Sequence, residues 1–166
     1  MIFLDNKNTY DFSLCNHGLD LIVMGEKLSH DLTRDFTALD TSTDAGFLEY
    51  ISLGAILKEE KGITFKKLTG KNAVIKQSDL IPVIVYVGTS SEGIVKEISL
   101  RMEQDVLKSK ELLMEIYGPP GVEIQTEFKS GCNNVEYNSY SWTICDLEIL
   151  LSGLANEIRF YFSKVG

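Results

Sequence analysis

Gly88-Thr-Ser-Ser-Glu-Gly93 is the segment whose residue types come nearest to a chemical site. It follows the apolar run Ile81–Val87 and precedes residues that read as helical. A strand, a glycine-bounded loop and a helix start can cradle a phosphate with backbone N–H groups. The Lys-Ser/Thr of a P-loop and the third glycine of a dinucleotide fingerprint are missing. Glu92 would put a negative charge where phosphates would lie. The loop therefore reads better as a helix cap built on Ser90 or Ser91. A small-molecule or nucleotide-binding domain, or an enzyme using this loop, stands as the alternative function.

The other chemical groupings are thinner. Ser29-His30-Asp31 holds the letters of a catalytic triad, but sequence neighbours on a helix point apart. No G-x-S-x-G elbow is present. Cys15-x-His17 lacks the paired short spacings of zinc sites, with Cys132 and Cys145 too far apart to complete one. An odd number of cysteines argues against a disulfide framework. The sequence thus predicts no catalytic residues, no metal and no cofactor. Tyr137, Tyr140 and Trp142, with Phe160, Tyr161 and Phe162, are the aromatic residues to watch, because Tyr and Trp are enriched at binding hot spots. An exposed sheet edge could accept a partner's strand, although the sequence does not say which strand lies at the edge.

These groups need elements to position them. Leu19–Met24 reads as a strand, and Leu28, Leu32, Phe36 and Leu39 recur at helical spacing. Asp31 and Asp35 are four apart and share that helix's outer face. Phe47–Glu60 fits a helix or one arm of a hairpin. Ile63–Leu68, Ala73–Lys76 and Ile81–Val87 read as strands. Ile94, Ile98, Met102, Val106, Leu113 and Ile116 form one apolar stripe, which predicts a long helix over 92–117 stopped by Gly118-Pro-Pro-Gly121. Val122–Phe128, Val135–Cys145 and Glu157–Ser163 then read as strands, with Asp146–Leu154 open between helix and strand. This order predicts an α+β fold: a mainly antiparallel sheet with the long helix followed by a C-terminal β-meander.

The 166 residues fit a single domain, 1–166. With 44% hydrophobic and 24% charged residues the composition is that of a globular protein. No apolar run is long enough for a membrane helix, and the N-terminus lacks the pattern of a secretory signal; a cytoplasmic protein is expected. The net charge is −8, with residues 1–60 holding eleven acids against four bases. Such a surface repels nucleic-acid phosphates and attracts a basic partner.

The segments YDFSLCNHGLDLIVMGEKLSHDLTRDF (10–36) and ITFKKLTGKNAVIKQSDLIPVIVYVG (63–88) resemble bacterial contact-dependent growth inhibition immunity proteins. The resemblance implies a protein that binds and neutralises the C-terminal domain of a cognate toxin, a basic nuclease, by surface complementarity and without catalysis. Acceptance of a toxin β-hairpin into the immunity protein's sheet is one route it implies. The residues expected at such an interface are Asp31, Asp35, Asp40 and Asp44 as the acidic surface, with Tyr137 and Trp142 as aromatic anchors.

Overall fold

The computed structural model describes residues 9–38, 64–68, 72–77, 82–102, 105–153 and 156–162. Their elements run β1 (Thr9–Phe12), β2 (Leu14–Cys15), β3 (Gly18–Leu19), α1 (His30–Thr33), β4 (Phe36–Ala38), β5 (Thr64–Leu68), β6 (Asn72–Ile75), β7 (Pro82–Thr89), β8 (Val95–Met102), α2 (Val106–Tyr117), β9 (Val122–Ser130), β10 (Asn133–Ile144), β11 (Leu147–Ser152) and β12 (Glu157–Phe162). Eight of these strands form one sheet in the order β4-β5-β7-β8-β12-β11-β10-β9. Every neighbouring pair in it is antiparallel. β1 pairs with β6 in parallel, and β2 with β3 as a small hairpin. Among the described residues no helix is long and apolar enough to cross a membrane.

The expected α+β architecture with a helix over 92–117 is overturned. Residues 95–102 form a central strand, and the helix is only Val106–Tyr117. The reason lies in the spacing itself. Positions four apart share a face in an α-helix and also in a β-strand, so Ile94, Ile98 and Met102 satisfy both periods. The true signal was the alternation of Ile98, Leu100 and Met102, which are all buried. Asp105 then caps the real helix, its side chain accepting from the Lys108 N–H at 3.1 Å. The helix expected over Leu28–Leu39 shrinks to four residues and gives way to β4 at Phe36. The run Leu19–Met24 bends after Leu19, and Ile22 and Met24 pack as separate core residues. Residues 147–152, left open between helix and strand, are β11. The readings over 41–60 lie outside the described residues.

The two faces of the sheet differ in chemistry. Val87, Ile98, Phe160, Ile149 and Trp142 face one another across successive strands by register. This apolar face joins Phe12, Leu14, Leu19 and Ile22 from the N-terminal strands and Leu112 and Leu113 of α2 in one hydrophobic cluster. Two side-chain bonds fix the cover: Trp142 Nε1 donates to the Gly118 carbonyl at 2.8 Å, and the Tyr117 hydroxyl donates to the Cys15 carbonyl at 2.6 Å. Each fully buried aliphatic side chain contributes about 1.5–3 kcal/mol. The opposite face carries Tyr86, Ser99 and Arg159 in register, with Glu97 and Glu157 beside them, all buried. Arg159 donates to Glu157 Oε1 from Nε at 3.1 Å and Nη2 at 2.6 Å. The two residues stand two apart on β12, so the strand's period puts both on one face.

Candidate partner-binding ribbon

β9 and β10 are joined by a two-residue turn, Gly131-Cys132, between the partners Ser130 and Asn133. Gly131 has φ +64°, a conformation that favours glycine. β11 pairs with β10 only over Ser139–Ile144, and the Gly153 N–H donates to the Asn138 carbonyl at 2.9 Å where that pairing stops. From Asn138 to the turn, β9 is the sole strand partner of β10 among the described residues. The hairpin therefore extends past the sheet as a two-stranded ribbon, and among the described residues β9 is along its whole length an edge of the eight-stranded sheet.

Period-two alternation gives this ribbon two distinct faces. Glu123, Gln125, Glu127 and Lys129 share one with Asn134, Glu136 and Asn138. Glu127 and Glu136 sit directly opposite each other, both exposed, and among the described residues neither forms an ion pair. Like charges in that position oppose strand pairing. The other face carries Val122, Ile124, Val135 and Tyr137. Val122 and Ile124 are 50% and 55% exposed, unusual for residues of their size in strands. At the root of the ribbon, Lys110 of α2 sits with Nζ 4.3 Å over the Tyr140 ring.

The interface residues expected from the sequence do not form one patch. Asp31 is exposed in the first turn of α1, and Asp35 accepts a hydrogen bond from the Tyr10 hydroxyl. Asp35 adjoins β4, at the opposite end of the strand order from β10 and its Tyr137. Asp40 and Asp44 lie outside the described residues. Tyr137 is half-buried on the apolar face of the ribbon. Trp142 corrects the expectation of an exposed anchor: it is 2% exposed and belongs to the core, because its position on β10 points it at α2. Sequence reasoning missed Val122, Ile124, Glu127 and Glu136. The turn Ser130-Gly-Cys-Asn133 was the available signal, since a two-residue loop there fixes Glu127 opposite Glu136.

The loop Gly88–Gly93 is a β-hairpin turn and not a helix start. The Ser90 N–H donates to the Ile94 carbonyl and the Gly93 N–H to the Ser90 carbonyl, both at 2.9 Å. Ser90 Oγ accepts from Glu92 and Ile94 N–H groups, so it holds the turn rather than capping a helix. Gly88 is roofed by Phe65, whose ring would lie 2.9 Å from any added Cβ. With no helix N-terminus behind it and an aromatic ring over its first glycine, the loop has lost both features that suggested a phosphate site.

A cleft of about 340 Å³ lies between the N-terminal segment and the C-terminal strands, lined by Asn16, His17, Met24, Gly25, Asp146, Leu147 and Phe162. His17 and Asp146 are its ionisable groups. Among the described residues no three His, Cys, Asp or Glu side chains are grouped as metal ligands would be. On the polar sheet face, burial first and the Glu148 carboxylate second raise the Tyr161 hydroxyl above its ordinary value. Tyr161 there stays protonated, a hydrogen-bond donor rather than a base. No protein-family model, curated protein or solved structure matches this chain.

Proposed function

We propose that this chain is a cytoplasmic immunity protein that binds and silences a basic toxin domain, a nuclease, through the acidic face of the β9–β10 ribbon and without catalysis. The observation that carries the reading is the pair Glu127 and Glu136, exposed and facing each other across the ribbon. Two carboxylates in that position cost stability in the isolated chain, and a cationic partner converts the repulsion into attraction. The overall charge of −8 adds long-range steering to the same encounter. Val122, Ile124 and Tyr137 offer apolar contact on the ribbon's opposite face.

The toxin domain is expected to be encoded beside this gene, and co-expression with it tests the reading. Cells carrying both are expected to survive where cells carrying the toxin alone do not, and the purified pair is expected to run as a tight complex without nuclease activity. Reversing Glu127 and Glu136 to lysine should slow association by about tenfold or more at low salt and flatten its salt dependence. Absence of rescue sinks the immunity role. An unchanged association rate removes the ribbon from the interface and leaves the role to another surface.

A further inference from the structure

We infer that β9 is also a self-recognition edge, where two copies of the chain pair strand to strand and join their sheets about a two-fold axis at Thr126. This rests on the edge alone and does not depend on the proposed function. β9 is nine residues long and holds no proline. It stands at the end of the sheet with Val122, Glu123, Ile124 and Gln125 all exposed. Edges of this length present a row of outward N–H and C=O groups, and proteins normally shorten, bend or cover them. Among the described residues, the other end of the sheet is the three-residue strand β4.

The sequence of the edge, Val-Glu-Ile-Gln-Thr-Glu-Phe-Lys-Ser, selects the occupant. Antiparallel pairing of β9 with a second β9 overlaps all nine residues in one register only, with Thr126 opposite Thr126. That register sets Glu123 of each copy opposite Lys129 of the other, giving two opposite-charge pairs related by the dyad. Gln125 falls opposite Glu127, and Val122 and Ile124 extend an apolar stripe on the reverse face. A shift of two residues in one direction sets Glu123 against Glu127, and in the other sets Glu127 against itself. Full overlap and charge complementarity thus pick the same register. The residues that face each other belong to the same face in both copies, so the pleat runs on without a break. Glu127 and Glu136 of both copies then line one continuous acidic strip across the joined sheet.

One strand edge is a small interface beside the roughly 1,600 Å² of a standard complex, so the dimer should be concentration-dependent. Sedimentation of the purified chain alone is expected to show a monomer–dimer equilibrium. Glu123→Lys puts two lysine–lysine pairs at the dyad, and Lys129→Glu puts two glutamate–glutamate pairs there. Each variant should dissociate at least about tenfold more readily than the wild type. An equimolar mixture of the two variants restores both opposite-charge pairs and should recover dimer, which also shows that each variant is folded. A wild-type chain that remains monomeric at millimolar concentration overturns the inference, as do single variants that dimerise like the wild type. A mixture that fails to re-form dimer, with both variants showing wild-type circular dichroism, overturns the register. The toxin is absent throughout, so none of these outcomes bears on immunity.

Discussion

From Ser139 to Ser141, β10 lies between two strands, β9 and β11, and from Trp142 to Ile144 it pairs with β11, with Tyr140 and Trp142 sealed under α2. From Asn133 to Asn138 the same strand pairs, among the described residues, with β9 alone, and its even positions Asn134, Glu136 and Asn138 are exposed. One strand thus runs from the core into a projecting ribbon. The change happens where Gly153 ends the β11 pairing; a Cβ at that glycine would run into the Asn138 carbonyl. The inner half is built from side chains that gain by leaving water. The outer half tolerates a like-charge pair that a structural strand would have no reason to keep. Residues that stabilise the fold and residues available for binding are therefore separated along one backbone.

The largest effect that would test this separation is Trp142→Ala, which should lower unfolding free energy by about 3–5 kcal/mol through the cavity it leaves. Tyr137→Ala on the outer half should cost well under half of that, measured by urea unfolding of both variants. Equal losses would show that the ribbon is as integral to the fold as the sheet. Arg159→Met should cost about 3–5 kcal/mol, because it strands the Glu157 carboxylate, itself 1% exposed, without its cation. Adding Glu157→Leu should return much of that loss.

Tyr117→Phe removes the bond to the Cys15 carbonyl and should cost about 1 kcal/mol at neutral pH. Burial, followed by the nearby Cys15, raises the Tyr117 hydroxyl above its ordinary value, and burial likewise raises Tyr161. The folded chain therefore holds protons that the unfolded chain releases above pH about 10. Stability from these groups is full below that pH and falls as the pH climbs towards their folded values. Tyr117→Phe should make the alkaline loss shallower, followed as the urea midpoint against pH. The smallest effect has the opposite sign: Glu136→Gln should raise stability by about 0.2–1 kcal/mol at low ionic strength, with the gain vanishing in high salt. A loss instead would mean that Glu136 is held by a favourable contact and that the ribbon is not electrostatically strained.

Much of the local structure was legible from the residues. Ile63–Leu68 and Glu157–Ser163 alternate or concentrate aromatics in ways that a strand accommodates, and both segments hold strands, β5 and β12. The stop at Gly118-Pro-Pro-Gly121 was equally plain, and α2 ends there at Tyr117. The failures came where one pattern served two periods. Ile94, Ile98 and Met102 fit a helix face and a strand face alike, and on the helix reading Glu97 and Arg101 fall outside the apolar stripe. Glu97 is instead buried on the polar side of the sheet, an arrangement with no signature in a single strand. The candidate site was half visible: acidity and aromatic content raised the expectation of a partner-binding surface, but nothing located the edge.

The sequence alone determined the charge of −8 and a break between the strand readings Val122–Phe128 and Val135–Cys145; the two-residue turn Gly131-Cys132, and hence the pairing of Glu127 with Glu136, came with the structure, since hairpin register follows from the length of its loop. Which strand closed the sheet was decided only by the tertiary structure. Strand order depends on contacts between segments distant along the chain: β8 and β12, separated by the helix and three strands, are direct neighbours at the sheet's centre. Their pairing completes the apolar face beneath α2 and leaves β9 outside. No local pattern encodes that outcome, because it is set by the one arrangement in which all the apolar strand faces share a single core.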